Sequence, residues 1–221
     1  AASALIDSTA VAVAHPNIAL IKYWGNRDDE LRLPQNGSIS MTLAGLHTVT
    51  RVHFGEGLTA DRLILNRRPA GPAETERVTR HLDLIRGLAG LSQAAEVVSA
   101  SDFPIGAGLA SSASAFAALT VAAGSAAGLE LSPTDLSRLA RRGSGSACRS
   151  VFGGFVEWTA GGDDRSSFAA PLAPPDHWPL VDLVAVVSSE GKQVGSSEGH
   201  RLAATSPLQA ARLAGAAGRL V

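Results

Sequence analysis

The chain has 221 residues, of which 45% are hydrophobic and 18% charged, and its formal net charge is −1 at pH 7. The hydrophobic content excludes a disordered chain, and the length permits a sizeable buried core. Near-neutral charge provides no global basic field to hold nucleic acid or an anionic membrane, so an anionic ligand needs a local site. The single cysteine, Cys148, cannot form an internal disulfide, which favours a reducing cytoplasm.

Strands dominate the first half of the chain. Alternating or clustered apolar residues predict strands at 9–15, 18–24, 38–46, 48–54, 62–66 and 96–101. We expect 38–46 and 48–54 to pair as a hairpin, and apolar residues at helical spacing predict a helix over 73–88. A run of strands followed by mixed elements predicts an α+β fold.

A long uncharged stretch, 103–129, follows these elements. Its length alone suits a membrane span, but its prolines, glycines and serines favour a buried helix that packs closely through Ala and Gly. Ser132 is a good N-cap for the next helix, which we expect to end with Gly143 as its left-handed C′ residue. Arg141 and Arg142 then complement the negative end of the helix dipole.

The last part of the chain suggests a domain boundary. Strands are predicted at 153–159 and 180–188, and a helix is predicted from Pro207. Residues 160–179, with Gly-Gly and Pro-Pro pairs, form the best linker candidate, which divides the chain into domains 1–179 and 180–221. Because the sequence lacks an initiator Met and stops inside an apparent helix, we expect a trimmed chain whose second domain is incomplete.

The segment PIGAGLASSA, 104–113, is the strongest candidate for ligand binding. Glycines let a backbone approach a ligand closely, and the following helix offers free N–H groups and a positive dipole end to an anion. Ser111 and Ser112 then lie on the first helical turn, within reach of phosphate oxygens or Mg²⁺. Phosphate binding is only slightly favoured over a plain strand-to-helix connection, since neither a Walker loop nor a Rossmann fingerprint is present.

Two further motifs carry polar groups. In RRGSGSACR, 141–149, the helix C-terminus explains the first two arginines but not Ser144, Ser146 and Arg149. An arginine fork at this place suits a carboxylate or a phosphate. In PNIALIKYWG, 16–25, a Lys and a Tyr after an apolar strand suit a pocket, although a surface role is the more common one for such a Lys.

Other catalytic classes are poorly supported. The G-x-S-x-G pattern at 195–199 has no Asp or Glu after Glu198, so a hydrolase triad cannot be completed in its usual chain order. The six histidines are scattered without zinc-ligand spacing.

Four strings together resemble the GHMP kinase superfamily, and most closely the mevalonate diphosphate decarboxylases. They are NIALIKYWGNRD (17–28), LPQNGSISMTL (33–43), FPIGAGLASSASAFAAL (103–119) and RRGSGSACRSVFGGFVEW (141–158). The resemblance implies a GHMP kinase fold, with a ribosomal-S5-domain-2-like N-terminal domain and the start of a ferredoxin-like C-terminal domain. It also implies a homodimer, while the lone cysteine predicts a cytoplasmic protein and the near-neutral charge predicts no nucleic-acid or membrane partner.

The resemblance further implies an activity. Such enzymes use ATP and Mg²⁺ to phosphorylate the 3-hydroxyl of mevalonate 5-diphosphate, and loss of that phosphate and of CO₂ then gives isopentenyl diphosphate. Two alternatives remain open: a GHMP small-molecule kinase, such as a mevalonate 3-kinase, and a non-catalytic nucleotide-binding module if the chain is naturally short.

Site residues follow from the same resemblance. The nucleotide phosphates would be held by Gly106, Ala107, Gly108, Leu109, Ala110, Ser111 and Ser112, with Ser112 also a Mg²⁺ ligand and Asn66 near the nucleotide. Ser144, Arg149 and Lys192 would be catalytic. Substrate would contact Asn17, Lys22, Tyr23, Asn26, Ser144, Ser146, Arg149, Ser196 and Ser197.

Two departures from the family pattern affect these expectations. Asn26 stands where the decarboxylases typically have the Lys of YWGK, and Ser197 where some bacterial relatives have Arg. A lost charge-assisted contact weakens binding by about 1.5–3 kcal/mol, so we hypothesise mevalonate 5-phosphate as the substrate. The family's catalytic Asp belongs to the C-terminal domain, and no carboxylate follows Glu198, so we expect this chain to bind ligands without that base.

Overall fold

A computed structural model describes residues 7–104, 110–185 and 195–220. Within these ranges the strands are β1 (Ser8–Ala14), β2 (Asn17–Ile21), β3 (Asn26–Asp28), β4 (Leu33–Pro34), β5 (Ser38–Thr42), β6 (Thr48–Phe54), β7 (Arg62–Leu65), β8 (Arg68–Pro69), β9 (Ala95–Ser101), β10 (Phe155–Trp158) and β11 (Ala169–Ala173). The helices are α1 (Pro72–Ala89), α2 (Ser111–Ala126), α3 (Pro133–Gly143), α4 (Ala147–Ser150), α5 (Ser196–Leu202) and α6 (Gln209–Ala214). This mixture confirms the α+β prediction.

The larger sheet has the strand order β1-β6-β9-β7-β8, in which β7 pairs with β9 in parallel and the other pairs are antiparallel. Helix α2 packs across β1 and β6. Its small side chains, including Ala117, Ala118 and Ala123, are buried against Val52 and Phe54 of β6. The Ala-rich sequence therefore lets the helix approach the sheet closely, as predicted for a buried helix.

None of the helices in the described ranges is long and apolar enough to span a membrane.

A second, antiparallel sheet has the order β11-β10-β5-β2. Tyr23, Cys148, Val156 and Trp158 form a separate buried cluster around it. The short helix α4 packs on β10 and β11. This sheet and α4 position most of the candidate site.

The predicted hairpin of 38–46 and 48–54 is wrong, although both strands exist. Strand β5 pairs with β2 and β10, whereas β6 pairs with β1 and β9 in the other sheet. Alternation of apolar residues predicts a strand but not its partner, which long-range packing decides. Here β6 buries its apolar face under α2, and β5 turns small serines toward α4.

The predicted linker is also wrong, because residues 160–179 contain β11, which pairs with β10. Asp164, in the same segment, forms ion pairs with Arg138 and Arg141. The glycines there make a turn, in which Gly161 has a φ of +60°. The division of the chain at residue 179 stays a prediction.

The end of the chain differs from prediction as well. Residues 180–185 form no strand, and residues 186–188 lie outside the described ranges. The helix expected from Pro207 consists of α6 and a short 3₁₀ turn at Ala217–Arg219. Gly215 and Gly218 lower helix propensity at this place, which accounts for the interruption.

Helix α3 confirms its predicted start and corrects its predicted end. Ser132 Oγ accepts a hydrogen bond from the Asp135 amide at 3.1 Å, as an N-cap does. Gly143 is the last helical residue rather than a left-handed C′ residue, and Ser144 is the C-cap. Glycine is required for space, since a Cβ at position 143 would overlap the ring of Phe116.

Candidate functional site

Arg149, on α4, lies at the centre of the candidate site and is only 2% exposed. Its Nε donates to Ser40 Oγ at 3.0 Å, one Nη donates to Ser38 Oγ, and the other donates to Asn17 Oδ1 at 3.1 Å. All three acceptors are neutral, and burial lowers the pKa of the guanidinium. Because a guanidinium carries five N–H donors, these bonds leave two for an anionic ligand.

Asn17 fixes the position of Arg149. It begins β2 and is 4% exposed. Its amide nitrogen donates to Ser150 Oγ at 2.8 Å and to the Ser146 carbonyl at 3.2 Å, while its Oδ1 accepts from Arg149. Asn17 therefore ties both ends of α4 to the second sheet. Contact of Asn17 or Ser146 with substrate stays a prediction.

Hydroxyl groups from the two predicted anion-binding motifs meet at the start of α2. Ser112 Oγ, in the first turn of α2, lies 3.1 Å from Ser144 Oγ, which follows α3. Ala110 has a φ of +52°, a left-handed conformation that turns the chain sharply before Ser111. Gly106, Ala107, Gly108 and Leu109 lie outside the described residues, so phosphate binding by that turn stays a prediction.

A group of arginines that the sequence analysis missed lies beside this hydroxyl pair. Arg77, on α1, donates to the Gly143 carbonyl at 2.9 Å and stacks over Phe116 with 4.4 Å between Cζ and the ring centroid. Arg32 donates through Nε to the Arg142 carbonyl at 3.0 Å. The guanidinium groups of Arg77 and Arg32 therefore bond the two carbonyls just before Ser144, and Arg142 adds a third cation to the group.

These three arginines, Arg32, Arg77 and Arg142, have no ion-pair partner in the part of the chain that the structure describes. The Nε atoms of Arg77 and Arg142 are buried without any hydrogen-bond partner. Burial and repulsion by Arg32 lower the pKa of Arg77 to about 10. Buried donors without an acceptor are uncommon, and phosphate oxygens suit them.

A signal for Arg77 is present in the sequence. It precedes His81 by four residues, so the two lie on the same face of α1, and His81 is buried. A basic residue on the buried side of a helix is unusual enough to mark a site, but only packing shows which side of α1 is buried.

An aromatic column joins α5 to Arg149. The ring of Tyr23 stacks on His200 at 4.1 Å and meets the edge of Trp158 at 4.6 Å, and Arg149 Cζ lies 5.7 Å from the Trp158 ring. The Tyr23 hydroxyl donates to Asn26 Oδ1. Burial raises the pKa of Tyr23, so the hydroxyl keeps its proton and remains a donor.

Gly145 leaves room for this hydroxyl. A Cβ at position 145 would lie 2.6 Å from Tyr23 Oη, so a larger residue would displace the ring. The structure thus brings Tyr23 against the same segment that carries Ser144 and Arg149.

Other predicted residues lie at the edge of this group or away from it. Lys22 is exposed, and its carbonyl accepts from Asn36 and Arg212. Asn26 donates to Asp29 at 2.7 Å in addition to accepting from Tyr23. Asn66, with a φ of +46°, accepts from the Ser101 amide at 3.0 Å and so fixes the end of β9.

Three predicted residues are not placed by the structure. Lys192 lies outside the described residues. Ser196 and Ser197 begin α5, but their side chains lie outside the described part of the structure. No group of three or more His, Cys, Asp or Glu suited to a metal ion occurs among the described residues. The roles predicted for Lys192, Ser196 and Ser197 stay predictions.

Comparison with known proteins adds a family. Residues 14–169 match the model of the diphosphomevalonate decarboxylase-like N-terminal domain. The chain is 43% identical over 224 residues to diphosphomevalonate decarboxylase mvd1 of Aspergillus fumigatus, and 45% identical over 212 residues to human diphosphomevalonate decarboxylase. These alignments cover 93% and 87% of this chain and 55% and 52% of the relatives, so the chain spans about half the length of the curated relatives it matches.

Solved structures agree with the sequence relatives. A crystal structure of mevalonate diphosphate decarboxylase from Staphylococcus aureus has a TM-score of 0.89 at 41% identity. A structure described as MDDEF in complex with MVAPP, AMPPCP and magnesium has a TM-score of 0.88 at 40% identity. Each alignment covers 97% of this chain and 66% of the other, which confirms the GHMP kinase fold.

Proposed function

The chain belongs to the diphosphomevalonate decarboxylase-like family, and we propose that it provides the nucleotide and substrate site for ATP-dependent decarboxylation of a 5-phosphorylated mevalonate. The observation that carries this proposal is Arg149, a buried cation whose partners in the structure are all neutral. A buried charge of this kind is costly unless an anion compensates it. The carboxylate of mevalonate is such an anion.

On the nucleotide side, the hydroxyl pair and the arginines support binding of ATP with Mg²⁺. Ser112 and Ser144 offer oxygens, and the buried Nε atoms of Arg77 and Arg142 offer donors that lack an acceptor. A similar protein has been solved with AMPPCP and magnesium. Bound Mg²⁺ would neutralise charge on the transferred phosphate. The residues of this chain would orient the phosphate and shield its charge from water.

On the substrate side, we assign three roles. Arg149 holds the substrate carboxylate, and its neutral neighbours keep the guanidinium in place without competing for its charge. Ser144 lies beside Ser112, where a hydroxyl of the substrate would meet the nucleotide. Tyr23, kept protonated by burial, would turn its one hydroxyl proton from Asn26 Oδ1 to the phosphorylated arm when substrate binds. Burial of Arg149 away from water strengthens its attraction for the carboxylate until CO₂ leaves.

The number of phosphates on the substrate is a finer part of the proposal. Asn26 is neutral, and its side chain already bonds Tyr23 and Asp29. Position 26 therefore supplies no cation that could bind a second phosphate. We accordingly propose mevalonate 5-phosphate as the preferred substrate.

Comparison of the mono- and diphosphate tests this preference. The dissociation constants of mevalonate 5-phosphate and mevalonate 5-diphosphate, measured by calorimetry, should favour the monophosphate. The variant Asn26→Lys restores a cation and should shift the ratio toward the diphosphate about tenfold. A strong preference of the unchanged protein for the diphosphate contradicts the proposal.

Product analysis separates the remaining alternatives. ADP and CO₂ formed together in equal amounts support the decarboxylase. ADP without CO₂ indicates a kinase. Nucleotide binding without ADP is the result expected both of a binding module and of this chain without the family's catalytic Asp. Homodimer formation stays a prediction that the sedimentation coefficient tests.

A further inference from the structure

His200 connects α5 to the segment that carries Tyr23. The Gly25 amide donates to His200 Nδ1 at 3.0 Å. The imidazole ring stacks on Tyr23 at 4.1 Å with an interplanar angle of 27°, and it lies 4.8 Å from the ring of Trp24. A Cβ at Gly199 would lie 2.8 Å from Trp24, so α5 approaches this segment closely.

From these contacts we infer that His200 is a positioning residue: its neutral imidazole holds the Tyr23–Gly25 segment and thereby aims the Tyr23 hydroxyl at the phosphorylated arm of the substrate. The inference rests on the proposed function, because Tyr23 is assigned to that arm. His200 itself touches neither Arg149 nor the serine pair in the described contacts. It acts through Tyr23, the next ring of the aromatic column.

The contact depends on the protonation state of His200. An imidazole accepts through Nδ1 only while that nitrogen lacks a proton. Burial and the charge of Arg32 lower the pKa of His200 to about 4, and Asp29 opposes this shift. Tyr23 faces the ring as a neutral group, and Arg201 is the adjacent cation on α5. The hydrogen bond from the Gly25 amide to His200 Nδ1 is therefore formed at neutral pH and is lost as the pH falls through about 4.

Three variants separate the two contributions of the imidazole. His200→Ala removes both the ring and the acceptor. His200→Asn keeps an acceptor near the Nδ1 position without the ring, and His200→Phe keeps a ring without the acceptor. His53→Ala, which removes a histidine that bonds Thr9 on β1, is the matched control.

Calorimetry measures the dissociation constants of two probes, mevalonate 5-phosphate and AMPPCP with Mg²⁺. We expect His200→Ala to weaken the phosphomevalonate about tenfold and the nucleotide less than twofold, from the loss of one hydrogen bond and one ring pair. The dissociation constants of His200→Asn and His200→Phe for mevalonate 5-phosphate should lie between those of His200→Ala and the unchanged protein. Below pH 5, the affinity of the unchanged protein should decrease more steeply than that of His200→Asn.

A second measurement does not depend on ligand. The backbone amide signal of Gly25 in an NMR spectrum should shift with an apparent pKa of about 4 in the unchanged protein. His200→Phe should abolish that titration. A titration of the Gly25 amide in the unchanged protein supports the Gly25–His200 contact. A Gly25 signal that is insensitive to both pH and substitution overturns it.

The outcomes distinguish this inference from the proposed function. If the unchanged protein binds neither mevalonate phosphate, the proposed function is wrong while the Gly25 titration still tests the contact. If it binds them and His200→Ala binds equally well, the positioning role is wrong. Equal weakening of both probes also overturns it, because that result indicates general disruption of the fold.

Discussion

Two buried arginines of one motif differ in their partners. Arg141, at the end of α3, is fully buried and forms an ion pair with Asp164, and it also donates to the carbonyls of Leu31 and Ser167. Arg149, eight positions later, is nearly as buried but contacts only neutral groups. A buried cation with a carboxylate partner holds a fold together, whereas one without such a partner is ready for an anionic ligand.

The first test of this difference removes the carboxylate partner of Arg141. Asp164→Ala leaves Arg141 buried without a carboxylate to balance its charge, so the free energy of unfolding should fall by about 3–5 kcal/mol. Urea denaturation measures it. Asp163→Ala is the control, because that neighbouring carboxylate bonds only the exposed Ser166 turn. Equal effects of the two substitutions would show that the Arg141 pair has no special structural role.

Gly143 lies between Arg141 and Arg149 in the sequence, and its substitution tests how closely this segment packs against Phe116. Gly143→Ala places a methyl group against Phe116 and should lower the free energy of unfolding by about 1–3 kcal/mol. It should also weaken AMPPCP binding, because Phe116 carries the stacked Arg77. Thermal unfolding and calorimetry measure the two effects.

Gly87→Ala is the matched control for that substitution. Gly87 lies inside α1, where nothing stands within 4 Å of an added Cβ. Alanine there should raise the free energy of unfolding by about 0.5–1 kcal/mol through helix propensity. A destabilised Gly87→Ala variant, or an unaffected Gly143→Ala variant, contradicts this account of the segment.

The sequence predicted those parts of the fold that depend on local chemistry. The helix over 73–88, the strand over 96–101 and the Ser132 cap all agree with the structure, because spacing and capping act within a few residues. Strand partners depend on distant segments, so the pairing of β5 and β6 and the inclusion of 160–179 in a sheet were missed.

In the candidate site, too, the sequence predicted residues that lie in local motifs and missed residues whose role depends on distant segments. The motifs and their resemblance to a family indicated Asn17 and Arg149, which the structure joins by a hydrogen bond, and Ser144, which it places beside Ser112. Arg77 and His200 were missed because their importance arises from packing between α1, α5 and segments far away in sequence. For Arg77 the sequence offers only its four-residue spacing from His81, and no local pattern marks His200.

The most direct test of the account compares ligands with and without a carboxylate. Calorimetry measures the binding of mevalonate 5-phosphate and of isopentenyl phosphate, which lacks both the carboxylate and the 3-hydroxyl, to the unchanged protein and to Arg149→Lys. Because lysine keeps the charge but loses the fork, the variant should bind mevalonate 5-phosphate about 10- to 100-fold more weakly. Its affinity for isopentenyl phosphate should not change. Equal affinity of both proteins for mevalonate 5-phosphate would contradict the assignment of Arg149 to the substrate carboxylate.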